Sequence, residues 1–378
     1  MPLSPNPLDD QNRRIVELVA GGQAASRSEL AKILDVAVST VSLRVQALID
    51  ADVLREDGHG NSSGGRRPRR LRVNVAEARI LAAELGGGHA RIGLLDLTGK
   101  LHASETIPIN IAAGPEETLK KVAAGCRALA GDTEIRAIGM ALPGPVRLQT
   151  GSVDQPSRMP GWQGYRVRER LTELLGVPAV VDNDANLMAL GEHHRRLSPA
   201  EDSITVKAGT AIGSGIIVQG AIHRGATAAA GDITHTQIDP TLNEPCSCGN
   251  RGCLETVASG ASLVRQMGEL GQSVPDAAAV LALARDGDPT ATTLIRTAGT
   301  HLGQALSGVV NFFNPHAVFL TGSLSASEPF IAAVRSRVYE ACHPLATQTL
   351  LIEAAASGQD AALYGAARIA LDAVDLTA

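Results

Sequence analysis

Near the start of the chain the apolar residues fall on helical stripes. Ile15, Val16, Leu18 and Val19 form the first stripe and Gly21-Gly22 end it, which predicts a helix over 9–20. Ser26 followed by Glu29 has capping-box spacing and opens a second helix over 27–34, with Leu30, Ile33 and Leu34 turned inward. A short turn over 35–38 leads to Ser39, a second N-cap candidate, and to a third helix whose Val41, Val45, Leu48 and Ile49 share one face. Two short helices about a tight turn make a helix-turn-helix pattern. The third helix then turns Ser39, Thr40, Leu43 and Gln46 away from the core, with Ser42 and Arg44 on its flanks. In a major groove, short hydroxyls and arginine reach phosphates and base edges. A protein-interaction module of the same fold would expose a similar face.

Beyond these helices, residues 53–55 and 71–73 can pair as short strands around a Gly/Ser tip, giving a wing. The arm GGRRPRR follows the tip, and Pro68 keeps it extended. Arg66, Arg67 and Arg69 of this arm are candidates for a minor groove, where concentrated negative potential favours arginine. A solvated linker is the alternative.

From residue 76 the pattern changes to strands separated by helices. Residues 79–85 and 90–96 are strands around the hairpin Gly86-Gly87-Gly88; 135–145 form an apolar strand ending in a Gly/Pro turn; 177–181 form another. Helices are expected over 115–130, 166–175 and 187–194, so the class is α/β. The strand over 177–181 runs into Asp182-Asn183-Asp184-Ala185-Asn186. Asp184 there suits a carboxylate that accepts a proton or hydrogen bond from a sugar hydroxyl, although Asn and Asp at this position also suit a helix cap. The turn Gly209-Thr210-Ala211-Ile212-Gly213-Ser214-Gly215 could cradle a phosphate or shape a cleft, but its spacing is not that of a P-loop.

Charge sharpens this division. The chain of 378 residues carries a net charge of -5, yet residues 1–72 hold 11 Lys and Arg against 9 Asp and Glu, and the remainder 23 against 30. A mildly basic head precedes an acidic body, and five arginines fall between residues 66 and 72. No apolar run approaches the roughly 20 residues of a membrane span, and the N-terminus lacks a secretory pattern, so a cytoplasmic protein without membrane contact is expected. Cys126 and Cys342 stand alone and read as buried thiols. Cys246, Cys248 and Cys253, in CSCGNRGC, read as a metal site completed by His235. Three thiolates and one imidazole fill a tetrahedral zinc shell, and a shell closed by four protein ligands is structural.

Together these residues resemble the ROK family (repressors, open reading frames, sugar kinases), in its regulator branch. The resemblance rests on Asn183-Asp184-Ala185-Asn186 with Gly191-Glu192, the GTAIGSGI turn, GDITH ending in His235, CSCGNRGCLE, and DAALYGAA at 360–367. It implies an actin-like, sugar-kinase-like body of two lobes about a sugar cleft, behind a winged helix-turn-helix. The expected division is residues 1–75 for the head, 76–196 completed by 358–378 for the first lobe, and 197–357 for the second lobe with the zinc site. Carried over by motif, Asn183, Asp184, Asp232, His235 and Glu255 would bind the effector sugar, with His235 serving zinc through its other nitrogen. Two positions depart. Glu84-Leu85-Gly86-Gly87-Gly88 stands where the family's kinases carry Asp-x-Gly-Gly-Thr, which argues against phosphoryl transfer. Asp232 stands where the family usually has Glu. The expected function is a sugar-responsive repressor of carbohydrate metabolism genes that binds double-stranded operator DNA as a homodimer or homotetramer. The alternative is an ATP-dependent sugar kinase with a DNA-binding head.

Overall fold

The computed structural model describes residues 7–20, 22–59, 69–74, 78–156, 159–238 and 243–373. The head begins with α1 (Pro7–Ala20), α2 (Arg27–Leu34) and α3 (Val38–Asp50). Ile15, Leu18, Leu30, Val41, Val45 and Leu48 are fully buried at its centre, as the helical spacing requires. Ser26 caps α2, accepting from the N–H of Glu29 at 3.3 Å, and Glu29 reaches back to the N–H of Ala25 at 2.6 Å.

Two details differ from the sequence pattern. Asp35 takes a left-handed conformation that closes α2 abruptly, so α3 starts sooner than expected, with Ala37 and not Ser39 at its N-cap. Ser39 therefore lies inside the first turn, exposed. Ile33 is 47% exposed, because Leu30 and Ala31 fill the inner face of α2. Strands β1 (Leu54–His59) and β2 (Arg69–Val73) pair antiparallel, Leu54 opposite Val73 and Arg55 opposite Arg72, forming the base of the wing. The wing's tip lies outside the described residues.

The body opens with β3 (Ala78–Leu85), β4 (His89–Asp96), β5 (Leu101–Pro108), α4 (Pro115–Ala130), β6 (Glu134–Leu142), the small hairpin β7 (Val146–Arg147) and β8 (Ser152–Val153), α5 (Val167–Leu175), β9 (Ala179–Asn183) and α6 (Asp184–Arg196). Its sheet has the order β5-β4-β3-β6-β9, with two antiparallel hairpins on one side and two parallel crossovers on the other. Then come β10 (Ser203–Ala208), β11 (Ile212–Val218), β12 (Ala221–Ile222), α7 (Leu254–Ala258), α8 (Gly260–Glu269), α9 (Ala277–Arg285), α10 (Pro289–Phe313), β13 (Ala317–Thr321), α11 (Glu328–Ala341), α12 (Pro344–Thr347), β14 (Leu351–Ala354) and α13 (Ala361–Leu371). The second sheet, β12-β11-β10-β13-β14, repeats the first strand for strand and sense for sense. Two sheets of one topology in one chain are the signature of an actin-like, sugar-kinase-like body.

The sheets meet through a pair of helices. The first sheet covers one face with α4 and α5 and packs α13 on the other; α6 lies against α13 and touches β10 and β11 of the second sheet. Small residues permit this stack. A Cβ at Gly139 on β6 would come within 1.8 Å of the Ala366 carbonyl, one at Gly365 within 1.9 Å of the Leu187 carbonyl, and one at Gly191 within 2.1 Å of the Ala361 carbonyl. At the far side, a Cβ at Gly215 on β11 would meet the Ala185 carbonyl at 2.7 Å. Backbone thus touches backbone from one sheet to the other. Glu192 locks the arrangement: fully buried on α6, its carboxylate accepts the N–H groups of Ala356 at 2.7 Å and Ser357 at 2.9 Å, in the segment that carries the chain from β14 to α13. The apolar cluster beneath α10 and α11, with Val318, Leu320 and Phe330 fully buried, fills the second sheet's outer side. Cys126 and Cys342 are both buried, and burial pushes the Cys126 thiol up to about 12, so it stays protonated.

Replacing Gly191 or Gly365 with alanine is expected to lower stability by ~3 kcal/mol or more, since the colliding atoms are backbone and cannot rotate away. Gly308→Ala, at an exposed position in α10 with open space around it, should instead stabilise by up to ~1 kcal/mol. Thermal and denaturant unfolding of the three variants measures both, and equal effects would refute the close-packing account.

Candidate functional site

The parallel strand β9 delivers Asp182 and Asn183 to its carboxyl end, where α6 begins. Asn183 caps that helix: its Oδ1 accepts from the N–H groups of Ala185 at 3.0 Å and Asn186 at 3.2 Å, and its Nδ2 donates to the Gly144 carbonyl at 3.2 Å. Asp184 is buried, with Oδ1 on the Ala185 N–H at 2.8 Å and Oδ2 held by the Lys207 ammonium at 2.6 Å. Lys207 comes from β10 of the other sheet, between Gly213 on β11 and Thr321 on β13. Glu84, the penultimate residue of β3, is buried and feels both of these charges. Burial pushes its carboxyl up to about 7; the Lys207 ammonium works against that and the Asp184 carboxylate with it. Desolvation opposes the charge on Lys207, but Asp184 and Glu84 together outweigh it and raise its pKa.

A second link crosses between the sheets alongside the first. Arg224, just after β12, ion-pairs with buried Asp182, whose carboxylate also accepts from Asn183 N and Asn186 Nδ2. Neither Lys207 nor Arg224 stood out in the sequence reading. The signal for Lys207 was a single charge inside an otherwise apolar strand, ITVKA.

On the other side of β11, Gly231 at φ 90° presses on Ser214, a Cβ there falling 2.9 Å from the Ser214 carbonyl. This turn presents Asp232, which is exposed and accepts from the N–H of Thr234 at 3.2 Å. Thr234 ties the loop to β11 through the Ile212 carbonyl at 3.0 Å, and its own carbonyl receives the N–H of Glu255 at 3.1 Å. Half-buried Glu255 and His235 are thereby neighbours. The strand β11 therefore lies between the Asn183-Asp184 edge and the loop with Asp232, His235 and Glu255.

His235 faces the cysteines. Its Nδ1 lies 3.3 Å from Cys246 Sγ, Cys248 Sγ lies 3.7 Å from Cys253 Sγ, and one ligand atom from each of the four residues falls within 4.8 Å of every other. Gly249 and Gly252, both at positive φ, fold the loop back so that Pro245 pairs with Arg251, while Cys253 is fixed as the N-cap residue of α7. Three sulfurs and an imidazole nitrogen converging with no carboxylate among them form a donor set that can hold a metal ion.

In the head, Ser39, Thr40 and Gln46 are exposed on α3 and Ser42 is half-buried. Gln46 donates to Asp50 at 2.8 Å, and Arg44 folds back toward α1, donating to Asn12 at 3.3 Å. Leu43, in the middle of this face, is 76% exposed. Arg69 ion-pairs with Glu56 across the wing strands, and Glu56 also takes Arg27. Arg66 and Arg67 lie outside the described residues.

The ROK family model matches residues 80–373, and a helix-turn-helix model matches residues 8–57. The chain belongs to the ROK family. It is 28% identical to a xylose repressor of Caldicellulosiruptor bescii over 82% of each chain, and 30% identical to the DNA-binding transcriptional dual regulator NagC of Escherichia coli over 82% of this chain and 80% of that one. A solved ROK family transcriptional regulator, a homologue of the E. coli MLC protein, superimposes with a TM-score of 0.82 at 26% identity, over 97% of this chain and 96% of that one. A ROK hexokinase from Thermus thermophilus, by contrast, has a TM-score of 0.64 at 30% identity and covers 77% of this chain and 97% of its own.

Glu84 makes stability depend on pH. Folding raises its pKa from 4.5 to about 7, so its contribution is complete below the unfolded value and is lost as pH rises through the folded one. Unfolding free energy should fall by up to ~1.4 kcal/mol per pH unit between those values, and Glu84→Gln should flatten that slope. Parallel pH profiles of the two proteins would count against a buried, proton-holding Glu84.

Proposed function

We propose that this ROK family member is a sugar-responsive, DNA-binding transcription repressor of carbohydrate metabolism genes. The observation that carries the reading is a helix-turn-helix head joined to a sugar-kinase-like body, an arrangement matched over more than four-fifths of the chain by proteins named repressors. In this reading α3 enters the major groove. Ser39, Thr40 and Ser42 address phosphates and base edges from its first turns, and Gln46 does so once it releases Asp50. Leu43 offers an exposed apolar surface suited to thymine methyl groups. Arg66 and Arg67 follow the wing into the minor groove, whereas Arg69 and Arg44 brace the head itself through Glu56 and Asn12.

The effector sugar occupies the cleft beside β11. Asp184, Asp232 and Glu255 accept hydrogen bonds from its hydroxyls, Asn183 orients the turn that presents Asp184, and His235 faces it through Nε2. His235, Cys246, Cys248 and Cys253 would hold a structural zinc, which would fix the His235 ring by occupying Nδ1. Sugar contacts on both sides of β11 favour one relative position of the lobes over another, and such differential affinity is what an effector needs to move the two DNA-binding heads. A homodimer or homotetramer supplies the paired heads that a palindromic operator requires. Phosphoryl transfer is not part of the reading, because Glu84 and Gly88 replace the family kinases' short acid and threonine hydroxyl at the phosphate hairpin.

Binding of the purified protein to DNA from its own promoter, measured at two salt concentrations with a panel of sugars, tests the proposal. Specific binding that one sugar weakens is the expected result; sugar-dependent ADP release from ATP, abolished by Asp184→Asn, would replace the repressor with a kinase. Leu43→Ala should weaken operator binding about fivefold, the loss of roughly one buried methyl contact, while leaving non-specific binding unchanged. Zinc should be present at one equivalent per chain, and Cys246→Ser should lower both zinc content and sugar affinity; unaltered sugar affinity in a zinc-depleted protein would separate the metal from the pocket.

A further inference from the structure

Of the residues that would hold a metal ion, Cys248 is exposed and Cys253 is fully buried, yet their sulfurs lie only 3.7 Å apart. A sulfur–sulfur bond is ~2.05 Å long, so closure asks for a shift of less than about 2 Å from the exposed partner. The turn that carries Cys248 has room for it: a Cβ added at the adjacent Gly249 would meet nothing within 4 Å. Cys246 is engaged elsewhere, with its sulfur 3.3 Å from His235 Nδ1, and Cys126 and Cys342 are buried. Cys253 is tied in turn to the segment that carries His235. Its sulfur contacts the His235 carbonyl at 3.6 Å and its backbone pairs with Gln237. The next two N–H groups, of Leu254 and Glu255, donate to the carbonyls of Thr236 at 2.9 Å and Thr234 at 3.1 Å. Whatever moves the Cys253 sulfur therefore acts on the backbone between Thr234 and Gln237.

Hydroperoxides oxidise accessible thiolates, and a second thiol in contact resolves the product to a disulfide. Bound zinc would keep the sulfurs in the thiolate form. We propose that Cys248 and Cys253 are a peroxide-oxidisable pair, a modification site through which hydrogen peroxide or an organic hydroperoxide opens the metal cluster. The Cys248 sulfur attacks a peroxide oxygen and the O–O bond breaks, leaving a sulfenic acid on Cys248 and releasing hydroxide or alkoxide. The Cys253 sulfur then attacks the Cys248 sulfur; the S–S bond forms, the S–O bond breaks and hydroxide leaves. Both departing anions take up protons, to water or an alcohol. In sum each sulfur gives up one electron and the hydroperoxide takes two. The bridge withdraws two of the four donors and leaves Cys246 and His235, too few for a closed shell. The His235 ring then loses its fixed orientation beside Glu255. Thiol exchange reverses the bond. The consequence for sugar binding rests on the repressor reading; formation of the bridge does not.

Trypsin separates the pair, because Arg251 lies between them: Cys246 and Cys248 fall in the peptide 225–251 and Cys253 in the peptide 252–265. The zinc-loaded full-length chain is treated with stoichiometric hydrogen peroxide, alkylated, digested and mapped by mass spectrometry, while a chromogenic chelator follows released zinc. The expected map joins the two peptides, with fragmentation placing the bridge on Cys248, zinc released in step with it, and Cys126 and Cys342 still alkylated. Dithiothreitol with zinc should restore the starting map, and Cys248→Ser should give no joined peptides. A bridge from Cys246, a sulfinic acid without a bridge, zinc retained by the bridged protein, or oxidation of Cys126 and Cys342 alongside would each overturn the proposal. All four are read on the wild type, so the test stands even if Cys248→Ser does not fold. Sugar affinity should fall at least ~tenfold on oxidation, as it does when the support of a metal-bound histidine is lost; an unchanged affinity would overturn the link to His235. A reduced protein that binds no sugar would refute the repressor reading and leave the bridge standing.

Discussion

The contact on which the body depends is the back-to-back packing of α6 and α13. The first sheet rests on α13, the second rests on α6, and the two helices approach so closely that Gly191 and Gly365 have no room for a Cβ. Gly139 and Gly215 extend the same condition to the sheets on either side. Because interiors are packed at crystal density, a shift at one layer is carried to the next. That matters because α6 carries Asp184 on its first turn. A displacement between the sheets therefore changes the surroundings of Asp184.

Polar groups reinforce that joint where apolar packing cannot. Glu192 satisfies two backbone N–H groups of the segment entering α13, and Arg224 and Lys207 bring positive charge from the second sheet to Asp182 and Asp184 at the edge of the first. Buried charges of this kind add little to net stability when paired but are costly to separate, so they define which arrangement of the lobes is allowed. Backbone bonding has a related effect in the loop beside β11, where the Thr234 carbonyl receives the Glu255 N–H and sets His235 beside it.

Much of this was legible in the sequence because it depends on spacing. The helical stripes of Ile15 to Ile49, the hairpin at Gly86–Gly88, the strand ending at Asn183 and the group of His235 with three cysteines are local patterns, and each leaves its own trace. The start of α3 was misplaced because the left-handed turn at Asp35 is a conformational choice that Asp permits but does not announce. Ile33 was misplaced because an eight-residue helix has too few turns to fix its inner face. Lys207 was hidden for a different reason: its partner Asp184 is contributed by α6, and nothing in ITVKA indicates that a carboxylate waits opposite. The roles of Gly191 and Glu192 were known only as part of a motif; that one clears space for α13 and the other fastens its approach follows from three dimensions alone.

The position of α13 also sets an order of assembly. Ribosomal synthesis proceeds from the head onward, and the head's core closes among residues that emerge early. The second sheet gathers its strands from one continuous stretch, β10 to β14. The first sheet, although made before the second, keeps one face bare until α13 follows at the far end of the described chain. A nascent chain thus possesses a finished head long before it possesses a finished cleft.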